Sequence, residues 1–326
     1  MQKKVRVGIM GGAGYTGGEL IRLLVNHPYI EISFVQSSSN GGKPVSDVHN
    51  DLLGETDLMF SPAHQFEIDV LFFCSGHGEA VKFVREHDIP TSVRLIDLGN
   101  DFRLIENASV ANRKFIYGLP EVNREAIRIA DSIANPGCFA TAIQLGLLPL
   151  ASEGLVTEIY TTGITGSTGA GQSLSSTSHF SWRSNNIQAY KTLTHQHLGE
   201  IVETLSSASD KKVNLNFVPW RGDFARGIFI SSQFQSDIAL DTLHDLYKEF
   251  YKSHPFVVVS DEHIHLKQAV NTNKCFIQIE KNEGHVVIHS VIDNLLKGAS
   301  GQAVQNMNLM FGLEETTGLK LKGSYF

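Results

Sequence analysis

Chemistry enters this sequence at Cys138. It follows Asn135-Pro136-Gly137 and opens the apolar run CFATAIQLGLLPLASEG. Pro-Gly cannot extend a helix backward, and proline turns the residue before it away from helical angles. Cys138 is therefore predicted in the first turn of a helix over 138–154. The amino end of a helix carries partial positive charge that lowers a thiol's pKa, and the thiolate is the form that attacks a carbonyl carbon. The other two cysteines read differently. Cys74 closes an apolar run and is expected as a buried strand-end residue; Cys275, in NKCFIQIE, is expected as a small packed hydrophobe.

A thiolate nucleophile works with an acid or base close by, most often histidine. Among 14 histidines the densest cluster is THQHLGEI, residues 194–201, with His195, His197 and Glu200. His-x-His can also turn two imidazoles to one face of a strand, as a metal site does. No third His or Cys follows at customary spacing, so no metal is expected. A second pair, in HIH at 263–265, falls in what reads as an alternating strand and is assigned to structure.

The other chemical signal is GIMGGAGYTGGEL, residues 8–20. Gly12-x-Gly14-x-x-Gly17, and equally Gly11-x-x-Gly14-x-x-Gly17, lets a backbone turn tightly against a pyrophosphate. The helix that follows aims its open N–H groups at that anion. Gly11, Gly12, Gly14, Tyr15, Thr16 and Gly17 are expected to hold a dinucleotide. NAD-binding chains place an acid about 20 residues further on. The stretch FVQSSSNGGK (34–43) has none; Ser37, Ser38, Ser39 and Lys43 offer hydroxyls and a cation to a 2′-phosphate instead. The expected cofactor is NADP(H), favoured over NAD. Ligands of parallel sheets lie beyond the carboxyl ends of strands, so Ser75, Gly76 and His77 are expected to face it too. A cysteine nucleophile with a nicotinamide cofactor suggests one economical chemistry. An acyl group forms a thioester, hydride reduces it, and the thiohemiacetal collapses to an aldehyde.

These residues need elements to position them. KVRVGIM, EISFVQ, DVLFFC and VRLIDLG read as strands, alternating with helical GELIRLLVNH and EAVKFVREHD. Strands alternating with helices mean βαβ units and a parallel sheet, here running to about residue 133. After Cys138 the strands VNLNFVPW, RGIFISSQF, PFVVVSDE, CFIQIEK and HVVIHSVID alternate as in a mixed or antiparallel sheet with one covered face. ALDTLHDLYKEFYKS reads as an amphipathic helix between two of them, and KGASGQAVQNMNLMFGL as a last helix. The class is α/β.

Composition narrows the partners. The 326 residues are 42% hydrophobic and 19% charged, which suits a globular protein with room for two domains. A net charge of −7 without a long basic run argues against nucleic acid or an anionic membrane as partner. The N-terminal stretch has no apolar signal core, and no run approaches the roughly 18 apolar residues that span a bilayer. Three scattered cysteines without C-x-x-C exclude a disulfide framework. A reducing, cytoplasmic compartment is expected.

The motifs GYTGGELIRLL, DFRL, YGLPEVNRE, ANPGCFATA, TGSTGAG, HQHLGEI and IDNLLKGASGQAVQNMN occur in family order from residue 8 to about 310. Together they resemble the N-acetyl-γ-glutamyl-phosphate reductases of arginine biosynthesis, within the semialdehyde dehydrogenase group. The resemblance implies a Rossmann domain over 1–137 and 302–326, and an α/β catalytic and dimerisation domain with a mixed sheet over 138–301. It implies Cys138 as nucleophile and His195 as general acid/base, with His197 and Glu200 in support; which histidine moves the proton stays open. It makes Arg103 and Arg226 candidates for the substrate's phosphate or carboxylate, with Arg221 as an alternative to Arg226. It places Gly169, in TGSTGAG, and Asn294 and Gly298, in IDNLLKGA, near the cofactor. A small acyl-phosphate substrate and a homo-oligomer, dimer or tetramer, are implied as well. Two departures touch the acyl site. Gln196 and Gly199 stand where the family commonly has Arg and Pro, and VPWRGDFARG carries two Arg-Gly pairs. An N-succinyl substrate, the shorter substrate of aspartate-semialdehyde dehydrogenase, and a catalytically silent NADP-binding regulator stand as alternatives.

Overall fold

The computed structural model describes residues 4–209 and 211–325. They divide into two compact units. The first holds the described residues up to Gly137 and Ala299–Lys320; the second holds Cys138–Gly298 and residues 321–325. The chain re-enters the first unit at 299, and its last residues pack with the second. There Ser324 N–H donates to Val270 O (3.2 Å), and Asn271 bonds the Ser324 hydroxyl.

The first unit is built on a sheet of seven parallel strands. In chain order they are β1 (Val5–Met10), β2 (Ile30–Gln36), β3 (Phe60–Ser61), β4 (Val70–Phe73), β5 (Arg94–Asp97), β8 (Ile116–Tyr117) and β9 (Ser132–Ala134); β6 (Ser109–Val110) and β7 (Arg113–Lys114) form a separate hairpin. The spatial order is β3-β2-β1-β4-β5-β9-β8. The order reverses between β1 and β4, the switch point beyond which doubly wound sheets bind ligands. All four residues of β4 are buried, as its unbroken apolar run requires. Helices α1 (Tyr15–Leu24), α2 (Glu79–Glu86) and α3 (Pro120–Ile129) connect the strands. The returning helix α9 (Gly301–Met310) packs on α3 and α1. It is polar yet wholly buried, and several of its amides bond across the unit: Asn306 Nδ2 donates to Gly118 O (2.9 Å), and Asn308 Oδ1 meets the His27 ring (3.1 Å).

In the second unit α4 (Cys138–Ser152) is buried along nearly its whole length, which explains why its sequence is apolar on every side. α5 (Phe180–Arg183), α6 (Leu198–Ser209), α7 (Leu240–Tyr251) and α8 (Leu266–Ala269) complete its helices. Its sheet comprises β10 (Glu158–Thr165), β11 (Gln188–Ala189), β12 (Asn214–Arg221), β13 (Ile228–Gln235), β14 (Val257–Ser260), β15 (Cys275–Asn282) and β16 (His285–Ile292). The order is β11-β12-β10-β13-β16-β15-β14, with β10–β12 and β14–β15 parallel and the other pairs antiparallel. α4 packs against β13 and β16 on one face. The strand expected at 263–265 is absent: β14 ends at Ser260, and His265 instead caps α8 in a reciprocal box with Gln268. A local side-chain cap outcompetes the ladder there.

Candidate active site

The glycine loop joins β1 to α1. Gly11 sits at φ +73°, and a Cβ there would lie 2.9 Å from the Cys74 and Ser75 backbone. A Cβ at Gly12 would strike Val35, and one at Gly17 would meet Gly12 Cα at 2.7 Å. Gly14, the N-cap of α1, would instead bring its Cβ only into ordinary contact, 3.8 Å from Gly11 O. Three glycines serve the turn and helix packing, while the fourth leaves room for close approach, the division a pyrophosphate site requires. Tyr15 is exposed and Thr16 half-buried at the first turn of α1.

Beyond β2, Ser37 is buried, Ser38 and Ser39 are exposed, and Lys43 is exposed. Ser37 N–H donates to Ser61 O (3.0 Å), and Asn40 Nδ2 reaches the Ser39 hydroxyl (3.1 Å). No carboxylate side chain lies between residues 34 and 43. After β4, Ser75 is half-buried, and Gly76 and His77 are exposed. Arg103 is placed as a buried brace: its Nε donates to Asn135 O (2.9 Å) and its Nη2 to Leu98 O (3.0 Å).

In the second unit Cys138 is the first residue of α4. Phe139, next to it, presents its ring to His195 and His197 at centroid distances of 5.3 and 6.5 Å. The two imidazoles stand edge to face at 4.7 Å, and Phe217 closes on His195 at 5.6 Å. Glu200 is buried in the first turn of α6, and its backbone carbonyl accepts Gln144 Nε2 of α4 (3.1 Å). The helix carrying the thiol and the helix following the histidines are thereby fixed to each other. A Cβ at Gly298 would lie 2.8 Å from Cys138 Cβ, so the backbone at 298 sits directly against Cys138.

His195 Nδ1 accepts the His197 backbone N–H (3.2 Å). A neutral ring whose Nδ1 accepts carries its proton on Nε2. Burial, and secondarily the Lys191 charge, lower this imidazole to about 4. At neutral pH it is an uncharged Nε2–H donor. Burial does the opposite to Cys74, pushing its thiol up to about 12, with the Asp97 charge adding to the rise. Cys275 is fully buried in β15.

The two Arg-Gly arginines are placed differently. Arg226 makes a bidentate pair with Asp293, Nε to Oδ2 at 3.0 Å and Nη2 to Oδ1 at 3.1 Å. Asp293 also accepts the N–H groups of Asn271, Leu295 and Leu296. Arg221 lies over the Tyr190 ring, its Cζ 4.6 Å from the centroid, with Nη1 to Thr177 Oγ1 at 3.3 Å. Tyr190 stands edge-on to His195 at 5.8 Å, and burial first, then the Cys138 charge, raise its phenol. Asn294 is a strut: its Oδ1 accepts Gly227 N–H (2.7 Å) and its Nδ2 reaches the Thr168 hydroxyl (3.0 Å), one residue before exposed Gly169. Sequence reading missed Tyr190, Asp293 and Lys191. Only Tyr190 left a trace, as an aromatic five residues before the His-x-His pair.

A glycine cradle on a switched parallel sheet in the first unit, and in the second a helix-start cysteine whose neighbour Phe139 packs on paired histidines, are the parts that a dehydrogenase with a cysteine nucleophile needs. Residues 6–130 match the model of the semialdehyde dehydrogenase NAD binding domain, and residues 138–294 that of the semialdehyde dehydrogenase dimerisation domain. The aspartate semialdehyde dehydrogenase II of Vibrio cholerae superposes with a TM-score of 0.75 over 95% of this chain and 99% of that one, at 16% identity, a likeness of fold. The N-acetyl-gamma-glutamyl-phosphate reductase of Flavobacterium johnsoniae is 53% identical over 99% of this chain and 100% of its own length. That of Bacteroides thetaiotaomicron is 53% identical with the same coverage. The chain belongs to the semialdehyde dehydrogenase family and, within it, to the N-acetyl-gamma-glutamyl-phosphate reductases.

Proposed function

We propose that the protein reduces N-acetyl-γ-glutamyl phosphate to N-acetylglutamate 5-semialdehyde and phosphate, with NADP(H) as its cofactor, in arginine biosynthesis. The observation that carries this is Cys138 at the head of α4, whose neighbour Phe139 packs on a histidine pair with a neutral, donating first ring.

The Cys138 thiolate attacks the acyl carbon; an S–C bond forms, the C–O bond to phosphate breaks, and a thioester results. The nicotinamide, when bound, supplies the hydride that reduces this carbon. The tetrahedral oxyanion on Cys138 then re-forms its carbonyl, breaking the C–S bond and returning the thiolate. From thiolate to thiolate the enzyme's groups consume no proton, so the oxyanion needs a donor rather than a strong acid. His195 Nε2–H fills that role, as a neutral imidazole with lowered pKa can. Tyr190 and Phe139 hold its ring, and His197 and Glu200 hold the turn that carries it. Arg226 is engaged by Asp293, which leaves Arg221 as the arginine for the substrate's carboxylate.

Gly11, Gly12, Gly14 and Gly17 would hold the cofactor's pyrophosphate with the Tyr15 and Thr16 amides, and Ser75 and His77 would line its nicotinamide side. Ser37, Ser38 and Lys43, with no carboxylate among them, support a 2′-phosphate. A second copy would cover the sheet face that exposes Tyr160 and Thr162 of β10 and half-exposes Phe229 and Ser231 of β13. Sedimentation velocity should return at least a dimer. The activity is tested in reverse, following NADPH formation from N-acetylglutamate semialdehyde, phosphate and NADP+. N-succinylglutamate semialdehyde and aspartate semialdehyde are assayed alongside. Preference for the N-acetyl compound supports the proposal; preference for either competitor overturns the assignment of substrate.

A further inference from the structure

His49 belongs to no part of the site described so far, yet it touches the glycine loop. It lies between two short 3-10 turns, Val45–Asp47 and Asn50–Leu52, in the segment joining β2 to β3. That segment is firmly seated. Val45 and Leu52 are buried, Val45 N–H donates to Leu58 O (2.9 Å), and His49 N–H donates to Val45 O (3.0 Å). From this base the buried His49 ring sets Nε2 2.8 Å from Gly12 O. A carbonyl only accepts, so Nε2 carries the hydrogen. The ring also fills the space beside Gly18, where a Cβ would lie 2.4 Å from Cε1 and Nδ1. Gly12 N–H is held on the other side by Gln36 O (2.9 Å). Both polar groups of one loop residue are thus pinned by neighbouring segments, two residues before the Gly14 N-cap of α1.

We infer that His49 is a positioning residue for the dinucleotide: it latches the Gly12 carbonyl and so pre-orders the pyrophosphate loop. The inference rests on the reading of this loop as the dinucleotide site. A Gly-rich loop is entropically costly to order, and a loop ordered before binding spares the ligand that cost. Losing the latch should weaken dinucleotide binding and leave chemistry in the loaded enzyme intact. Gly18 has no side chain because the latch ring needs its place, so displacing the ring from that side should have the same effect as removing it.

The test titrates NADPH fluorescence against wild type, His49→Leu, His49→Gln and Gly18→Ala. It also measures kcat at saturating cofactor and the rate of Cys138 alkylation by iodoacetamide. The expected result is an NADPH Kd about tenfold higher in His49→Leu and Gly18→Ala, within the range that pre-ordering contributes. His49→Gln, which keeps a donor, should recover most of the loss. kcat and the alkylation rate should stay at wild-type values. An unchanged Kd in His49→Leu overturns the latch; so does a parallel loss of NADPH affinity, kcat and alkylation rate that His49→Gln fails to rescue. Should His49→Leu not fold, Gly18→Ala and His49→Gln decide by the same criteria. Wild type that binds no NADPH would instead refute the dinucleotide reading, an outcome separate from variants that bind as well as wild type.

Discussion

Cys74 and Cys138 make a comparison within one chain. Both are half-buried, neither is in a disulfide, and each sits at the end of a regular element. Cys74 follows a strand of the parallel sheet, where its N–H continues the ladder to Met10 O (2.9 Å) and burial keeps its thiol protonated. Cys138 starts a helix, where the terminal N–H groups favour negative charge. The carboxylate Asp97 acts on the first, whereas imidazoles pack around the residue next to the second. The difference proposed between the two thiols rests on the desolvation of Cys74 and on the helix start at Cys138.

The largest effect should separate the two outright. Cys138→Ala is expected to lower turnover by about 10⁴-fold or more, the scale seen when a covalent nucleophile is removed, while NADPH binding survives. Cys74→Ala should keep most of its activity. Iodoacetamide at neutral pH followed by peptide mapping gives the matching chemical measurement, with Cys138 labelled first. A Cys74 that labels as fast as Cys138 would break the comparison. Next in size is His195→Asn, expected to cost about 10²–10³-fold in kcat as an oxyanion donor is lost, with little change in the alkylation rate of Cys138. Below it comes Gly298→Ala, whose new methyl must displace Cys138. About 10²-fold in kcat is expected, the order that a 1 Å misplacement costs. Steady-state assays at saturating NADPH read both.

What was legible in the sequence follows the same division. The glycine loop can be read because its constraint is local: Gly11 needs φ +73° and Gly12 has Val35 against it, so residue type and spacing report the conformation. The helix start at Cys138 is likewise written in the preceding Pro-Gly, and β4 in its unbroken apolar run. The placements of the two arginines could not be read. What separates Arg226 from Arg221 is Asp293, 67 residues away, and Tyr190, 31 residues back, pairings that only the folded sheet creates. The tautomer of His195 rests on one backbone N–H two residues on, a matter of turn geometry rather than composition. The HIH segment misled because alternation is a strand signal only until a cap competes for the same backbone.

The smallest effect is on stability, and it sharpens the contrast by sign. His195 is lowered in the fold to about 4 from an ordinary 6.5. Between those values the unfolded chain binds more protons, so this group's contribution is present above pH 6.5 and is lost as pH falls towards 4. Asp97 in the first unit is raised by burial to about 7 from 3.8, so its contribution is present below pH 3.8 and is lost as pH rises to 7. The two oppose each other in one window, and the wild-type curve alone will look flat there. Subtraction separates them. The Tm of His195→Phe should gain on wild type as pH is lowered from 7 to 5, and that of Asp97→Asn should gain on wild type as pH is raised over the same range. Each should move by a few degrees, the shift that roughly 1 kcal/mol produces in a chain of this size. Cys74 adds a third test at the alkaline end. Its raised thiol contributes stability below pH 9 that is lost as pH rises towards 12, so Cys74→Ala should gain on wild type between pH 9 and 10.5. If Cys74→Ala instead runs parallel to wild type there, the sulfur ionises freely in the folded protein, and the distinction drawn between the two thiols fails on the side of Cys74.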